Sequence, residues 1–450
     1  MTVDLVISGG TIVTPSHSFK ADLAIEGGKI IGIGTQSIMP NSEKTIDADG
    51  LFVIPGIIDD HVHFREPGLE RKEDLRTGSM AAAAGGVTTF LDMPNVNPPT
   101  QDAASFRIKL ELAKNKSIVN FGIYGVVLPT NIDRIQELAN EGAVGYKIFM
   151  GETVGNLPSP DDWELILAFR EIAKTGLRVG VHAENRAITT HLVNEMKAKG
   201  RTDPVAHLES RPSISEMEAV TRALLFSKES NTKLHVFHVS SKDTVPILKH
   251  AKEEGRDVTA ETCPHYLLFD GEQGIKELGP LLKMNPPVRN RSNAEGLWEG
   301  LRSGVLDVIA TDHSPHTKEE KFKSSIWEAI AGWPGVETSL PLMLSEVNNG
   351  RITLNQLVRY MSENPAKAWG LHHSKGMLGI GYDADITIVD LKATKKIRAE
   401  ELHSKNKFTP FDGREVKGLP VHTIVNGHPV MSHGQLIEDG GKGKLAVPEW

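Results

Sequence analysis

Between residues 54 and 370 short apolar runs alternate with amphipathic stretches long enough for helices, and this period restricts the architecture more than any other feature. Eight runs read as strands: Ile57–His63, Val87–Met93, Val119–Val127, Val144–Met150, Arg178–His182, Leu234–Val239, Val258–Glu261 and Leu306–Thr311. Each is mostly apolar, as parallel strands buried on both faces must be. Between them, Ser159-Pro160 predicts the start of a helix over Trp163 to Ile172. Ser213 and Glu216 predict a capping box for a helix running to Ser227. Gly85-Gly86 reads as the turn from a helix into the second strand. A doubly wound sheet would carry a glycine-rich nucleotide loop after its first strand. Here that strand ends in His-Val-His, so a closed (β/α)8 barrel is the expectation.

The flanks have another texture. Asp4–Ser8, Thr11–Thr14, Asp22–Ile25 and Lys29–Ile33 read as short strands, with Gly27-Gly28 as a hairpin turn. Ala384–Val389 and Val421–Val425 repeat the pattern near the other end, followed by Asn426-Gly427. The expected layout is a TIM-like barrel over 54–370 with a small β-sandwich built from 1–53 and 371–450.

Composition excludes several functions. A net charge of −8 without a basic stripe argues against nucleic acid. No run approaches the ~18 apolar residues of a membrane span. No basic segment precedes an apolar one at the N-terminus, and a single cysteine, Cys263, leaves no disulfide framework, so a cytoplasmic location is expected.

Barrel enzymes place their chemistry at the C-terminal ends of the strands. The first predicted strand ends in His61 and His63, which alternate onto one side. The fourth carries Lys147, the fifth His182, the sixth His238, and the eighth ends at Asp312. His235, three residues before His238, is expected on the opposite face. Any one of these side chains alone reads as an ordinary surface or core residue. Five of eight strands delivering an ionisable group to one rim read as a metal site. Imidazole and carboxylate donors without thiolate suit zinc first, then manganese, cobalt or iron. A lysine fits such a set as a carbamate, a carboxylate on a long arm able to bridge two cations. Asp312 is suited to act as general base. His265 is ambiguous, Cys263 is expected to be inert, and the remaining histidines read as structural or exposed. The lysine- and glutamate-rich segment from His316 to Trp333 is expected to be a mobile cover.

These motifs resemble the cyclic amidohydrolases: dihydroorotases, allantoinases and hydantoinases. The resemblance spans nearly the whole chain. It rests on Pro55-Gly-Ile-Ile-Asp-Asp-His-Val-His-Phe-Arg-Glu-Pro-Gly68, Gly145-Tyr-Lys-Ile-Phe149, His182-Ala-Glu, His235-Val-Phe-His-Val-Ser-Ser241, Glu261-Thr-Cys-Pro-His265, Asp312-His-Ser-Pro-His316 and Gly379-Ile-Gly-Tyr-Asp-Ala-Asp385. It implies two divalent metal ions, most readily zinc, held by His61, His63, an N6-carboxylated Lys147, His182, His238 and Asp312. It further implies a small cyclic amide as substrate and a homo-oligomer, dimer or tetramer. Arg65, Asn95 and His316 match the carboxylate grip of dihydroorotases, and Asn285, Pro334 and Gly335 match contacts to the ring amide. The leading expectation is therefore a dihydroorotase of pyrimidine biosynthesis. Ser314, where dihydroorotases commonly have alanine, and Ile326–Trp333 point instead to allantoinase, with hydantoinase or another imidase as a further alternative. A non-catalytic scaffold on this fold would have lost ligands, and all six positions are intact.

Overall fold

The computed structural model describes residues 2–151, 157–437 and 443–450. All eight expected barrel strands are present: Ile57–Val62, Val87–Asp92, Asn120–Val126, Gly145–Phe149, Val179–His182, Leu234–Val236, Val258–Thr262 and Val308–Ile309. They pair in chain order, each parallel to the next. The last strand meets the first just beyond its own end, through a parallel bridge between Val62 and His313. His63 N–H donates to the His313 carbonyl at 2.8 Å, and Thr311 Oγ1 donates to Asp59 Oδ2 at 2.6 Å. The result is a near-closed TIM-like barrel.

Two further sheets come from the flanks. Thr2–Ser8, Asp22–Glu26, Lys29–Gly34 and Asn41–Asp47 form one of four strands. The other has seven strands and mixes both ends of the chain: Phe52–Pro55 pairs antiparallel with the start of Ile386–Lys396. Leu5, Ile7 and Ile25 of the first sheet pack with Val53, Ile386 and Ile424 of the second in one apolar core. Both expected hairpin turns form, with Gly27 and Gly28 at φ 57° and 78° and Asn426 and Gly427 at 50° and 80°. Such turns need left-handed backbone at both positions.

Two expected helix starts are corrected. The helix after the fourth strand runs Asp162–Thr175, and Asp161 caps it by accepting from Glu164 N–H in a capping box. Ser159 Oγ turns away to donate to the Phe149 carbonyl. The helix Ser213–Ser230 has Pro212 at its cap position and no side-chain cap. Glu216 is buried and accepts from Ser240 N–H, Ser241 N–H and Thr244 Oγ1 instead. A buried carboxylate without donors costs more than an uncapped helix end, so the loop after the sixth strand takes it.

The expected mobile cover is instead firmly tied down. Thr317 opens a short helix, Lys318–Lys321, with a complete capping box. Lys321 is fully buried and donates to the Lys283 carbonyl at 2.9 Å and the Ile330 carbonyl at 3.2 Å. Lys283 Nζ reaches back to the carbonyls of Ile326 and Ala329, both at 2.6 Å. Trp327 Nε1 donates to the Arg201 carbonyl at 2.6 Å. Lys321→Met keeps the length and removes the donor, so the Ile330 carbonyl loses its partner, at about 1–3 kcal/mol, while the Lys283 carbonyl keeps the Gly332 N–H. Limited proteolysis without ligand should leave the wild-type segment 317–333 intact and cut the variant there. Equal cutting in both would remove the lysine tie.

Candidate active site

Three of the six non-glycine residues with left-handed backbone among those described lie at the barrel rim: Arg65 at φ 64°, His238 at 41° and Asp312 at 47°. Such positions cost about 1–3 kcal/mol each, and their concentration here is strain held at one place. The sixth and eighth strands are shorter than expected for this reason. Each stops two or three residues before its functional side chain, and the turn swings that side chain over the barrel mouth. The face expected of His235 is corrected by the same turn: His235 is buried inside the barrel, yet it connects to the same network as His238.

Around the mouth the predicted ligands gather in two groups. Asp312 Oδ1 lies 3.3 Å from His61 Nε2 and 3.2 Å from His63 Nε2. His182 Nδ1 lies 2.9 Å from His238 Nε2. These five side chains, with Lys147, face one cavity with about 450 Å³ of empty space, part of it open to solvent. The nitrogens turned away from the mouth are anchored by oxygen. His61 Nδ1 meets Glu261 Oε1 at 2.6 Å, His63 Nδ1 meets Asn95 Oδ1 at 2.8 Å, and His182 Nε2 meets Glu184 Oε2 at 3.0 Å. Such partners fix the ring and its tautomer, leaving the inner lone pair free. Burial would raise the Glu184 carboxyl, but Arg211 at 2.6 Å and His182 hold it well below the usual range.

Electrostatics favour ligand-ready forms. Burial lowers His61 and His238 well below the ordinary imidazole value and His63 to about 4, so these rings are neutral at pH 7. Burial would raise the Asp312 carboxyl, yet the neighbouring imidazoles hold it well below its usual value. Lys147 is lowered to about 7, with burial outweighing the attraction of Asp312 and Glu261. Its floor is the ring of Phe237, 3.7 Å from Nζ. That ring fits because residue 180 is glycine: a Cβ there would stand 2.0 Å from it. Below, Trp369 stacks on Phe237 at 5.9 Å and donates from Nε1 to Asp60 Oδ2 at 2.7 Å. Neutral imidazoles, an ionised carboxylate and an amine near neutrality form a donor set that fits divalent cations.

A second buried cluster, Asp60, His235 and Glu261, lies deeper along the strands. Both ring nitrogens of His235 are engaged, Nδ1 with Thr259 Oγ1 at 2.8 Å and Nε2 with Glu261 Oε2 at 3.1 Å. Burial and the nearby Asp60 push the Glu261 carboxyl up. This cluster supports the rim from below.

Of the predicted substrate contacts, Arg65, Asn95 and Asn285 line the cavity. His316 does not. It sits behind Arg65, with Nε2 3.1 Å from Arg65 Nη2 and Nδ1 3.1 Å from Lys72 Nζ. Pro334 and Gly335 are also outside the lining: the N–H groups of Gly335 and Val336 donate to His313 Nδ1 at 3.0 and 3.2 Å. Asn95 spends its carbonyl on His63. His265 is buried against Trp333, away from the cavity lining. Sequence reasoning missed Glu261, Glu184 and the role of Ser314, whose hydroxyl donates to Asp312 Oδ1 at 2.9 Å. Met284, Phe149 and Ala331 supply the apolar wall.

Comparison with known proteins agrees with this geometry. The pattern of the amidohydrolase family matches residues 52–430. An L-hydantoinase of Paenarthrobacter aurescens is 38% identical over 449 residues, covering 99% of this chain and 98% of that protein. An allantoinase of Rubrobacter xylanophilus is also 38% identical, with the same coverage. The solved L-hydantoinase (dihydropyrimidinase) from Arthrobacter aurescens superposes with a TM-score of 0.96 at 37% identity, over 99% of this chain and 100% of that one. These names match the alternative readings of the sequence. They do not support dihydroorotase as the leading one, nor a place in pyrimidine biosynthesis.

The depressed Lys147 amine has a measurable consequence. Only the neutral amine attacks CO2, and with a value near 7 about half is neutral at pH 7, against well under 1% for an ordinary lysine. In metal-free protein at fixed dissolved 13CO2, the initial rate of carbamate formation at Lys147 should rise tenfold per unit below pH 7. It should level off above about 8. A rate still climbing tenfold per unit to pH 10 would show an ordinary amine.

Proposed function

The chain belongs to the amidohydrolase family, and on that premise we propose that it hydrolyses the ring amide of allantoin to give allantoate. The observation that carries this reading is a pair of unmet hydrogen-bonding groups in the cavity wall. Arg65 Nη1 and Asn285 Oδ1 are both buried and without a partner among the described residues. Arg65 is held in place by its other nitrogens, which donate to the Pro315 carbonyl at 3.1 Å and contact His316. A fixed donor and a fixed acceptor suit a ureido arm, which offers one carbonyl and several N–H groups. A purely apolar five-substituent would leave both groups unpaired.

His61, His63, Asp312, His182, His238 and a carboxylated Lys147 are the groups that would hold two divalent ions, zinc being the first candidate. Such ions, when bound, polarise the scissile carbonyl and make water a nucleophile at neutral pH. The protein's own part is positional and acid–base. Asp312 Oδ1 is oriented by Ser314, leaving Oδ2 to take a proton from the attacking water and return it to the ring nitrogen as the C–N bond breaks. Phe149 and Met284 shield one part of the cavity from water.

Hydantoinase activity on five-substituted hydantoins is the second reading. The apolar wall of Phe149, Met284 and Ala331 favours it. A substrate panel of allantoin, 5-benzylhydantoin, unsubstituted hydantoin and dihydroorotate separates the possibilities. Allantoin should be turned over with the highest kcat/KM. If 5-benzylhydantoin is preferred, the allantoin reading fails and the second replaces it.

Two substitutions probe the roles. Asp312→Asn keeps the shape and removes the base, so kcat should fall by about 100- to 10,000-fold. Retention of more than a tenth of kcat would exclude Asp312 as the proton carrier. Arg65→Met should cost allantoin the charged hydrogen bond, about 1.5–3 kcal/mol, or roughly 10- to 150-fold in kcat/KM. Unsubstituted hydantoin should change by less than threefold. An equal loss on both would mean that Arg65 only supports its loop.

A further inference from the structure

We infer that Glu261 is the positioning residue that ties the two halves of the centre together, setting His61 in one half and His238 in the other with a single carboxylate. The inference rests on the reading that these histidines hold two cations. Glu261 sits on the seventh strand and is fully buried. Its Oε1 accepts from His61 Nδ1 at 2.6 Å and from the backbone N–H of His238 at 3.0 Å. Its Oε2 accepts from His235 Nε2 at 3.1 Å, which holds the carboxylate in place from below. The other supporting groups each serve one half. Asn95 meets His63, and Glu184 meets His182.

The backbone bond matters because of what His238 lacks. Its Nδ1 is buried without a partner among the described residues, whereas the outward nitrogens of His61, His63 and His182 each have one. His238 has left its strand and stands at φ 41°, and its own amide donates to the Glu261 side chain, whereas the amides of Phe237 and Val239 reach the backbone carbonyls of Val181 and Glu261. Its direction is set by the amide, and the amide is held by Glu261. Reach decides this role, since both acceptor contacts run to one oxygen. Glutamine preserves that oxygen at the same distance. Aspartate keeps the carboxyl group but falls short by about 1.5 Å, one carbon–carbon bond.

The test titrates cobalt(II) into metal-stripped protein in bicarbonate buffer and follows visible absorbance and bound metal. Wild type should take two ions; fewer than two overturns both the metal reading and this inference. E261D should weaken both binding phases by about 10- to 100-fold. E261Q should hold both within threefold, and N95A should weaken one phase only. If E261D weakens one phase or none, or if E261Q loses both, the tie is wrong while the two-ion reading stands. A second measurement does not depend on any variant folding. In metal-free wild type, nitrogen-15 NMR of the imidazoles should find His61 protonated on Nδ1, facing Glu261. Protonation on Nε2 instead overturns the tie.

Discussion

The site is governed by desolvation. It places an arginine, a lysine, a carboxylate and four imidazoles, all of them buried, around one pocket. In such surroundings a charge without a partner is expensive, so each group moves toward its neutral form unless something opposes it. His61, His63 and His238 are neutralised, which turns them into donors. The amine of Lys147 is brought close to neutrality, which makes it reactive. Asp312, among the ring nitrogens, and Glu184, beside Arg211, stay ionised because their neighbours oppose the effect of burial. The chemistry of the pocket follows from how little of these side chains solvent reaches.

Desolvation also explains the polar network around the mouth. Three of the buried imidazoles, His61, His63 and His182, have an oxygen on the nitrogen they do not present, and the barrel supplies Glu261, Asn95 and Glu184 from three different strand ends or loops. Those oxygens are buried in turn and have partners of their own, such as Arg211 for Glu184 and His235 for Glu261. The network ends in Trp369, whose N–H meets Asp60 beneath the floor.

Much of this was readable in the chain because parallel barrel strands are apolar throughout. An ionisable residue at such a strand's end stands out, so His61, His63, Lys147, His182, His238 and Asp312 could be found without coordinates. The partners could not. Glu261 lies two hundred positions from His61, and nothing in spacing joins them. Ser213 and Glu216 showed a capping pattern, but a buried loop took the glutamate. His235 was assigned by strict alternation, which fails once His238 leaves the strand in a left-handed turn. Arg65 and Asn95 were found but their company was not: Asn95 is already engaged with His63, and His316 stands behind the arginine.

The meeting of the first and last strands has a consequence in time. His61 and His63 lie at one edge of the barrel and Asp312 at the other, and the bridge from Val62 to His313 is what brings them together. Some 250 residues separate the partners across that seam. During synthesis the first two imidazoles therefore emerge long before their carboxylate exists. That half of the centre cannot serve as a nucleus around which the barrel forms, because contacts of such long range form late. The meeting of His61 and His63 with Asp312 marks completion of the fold.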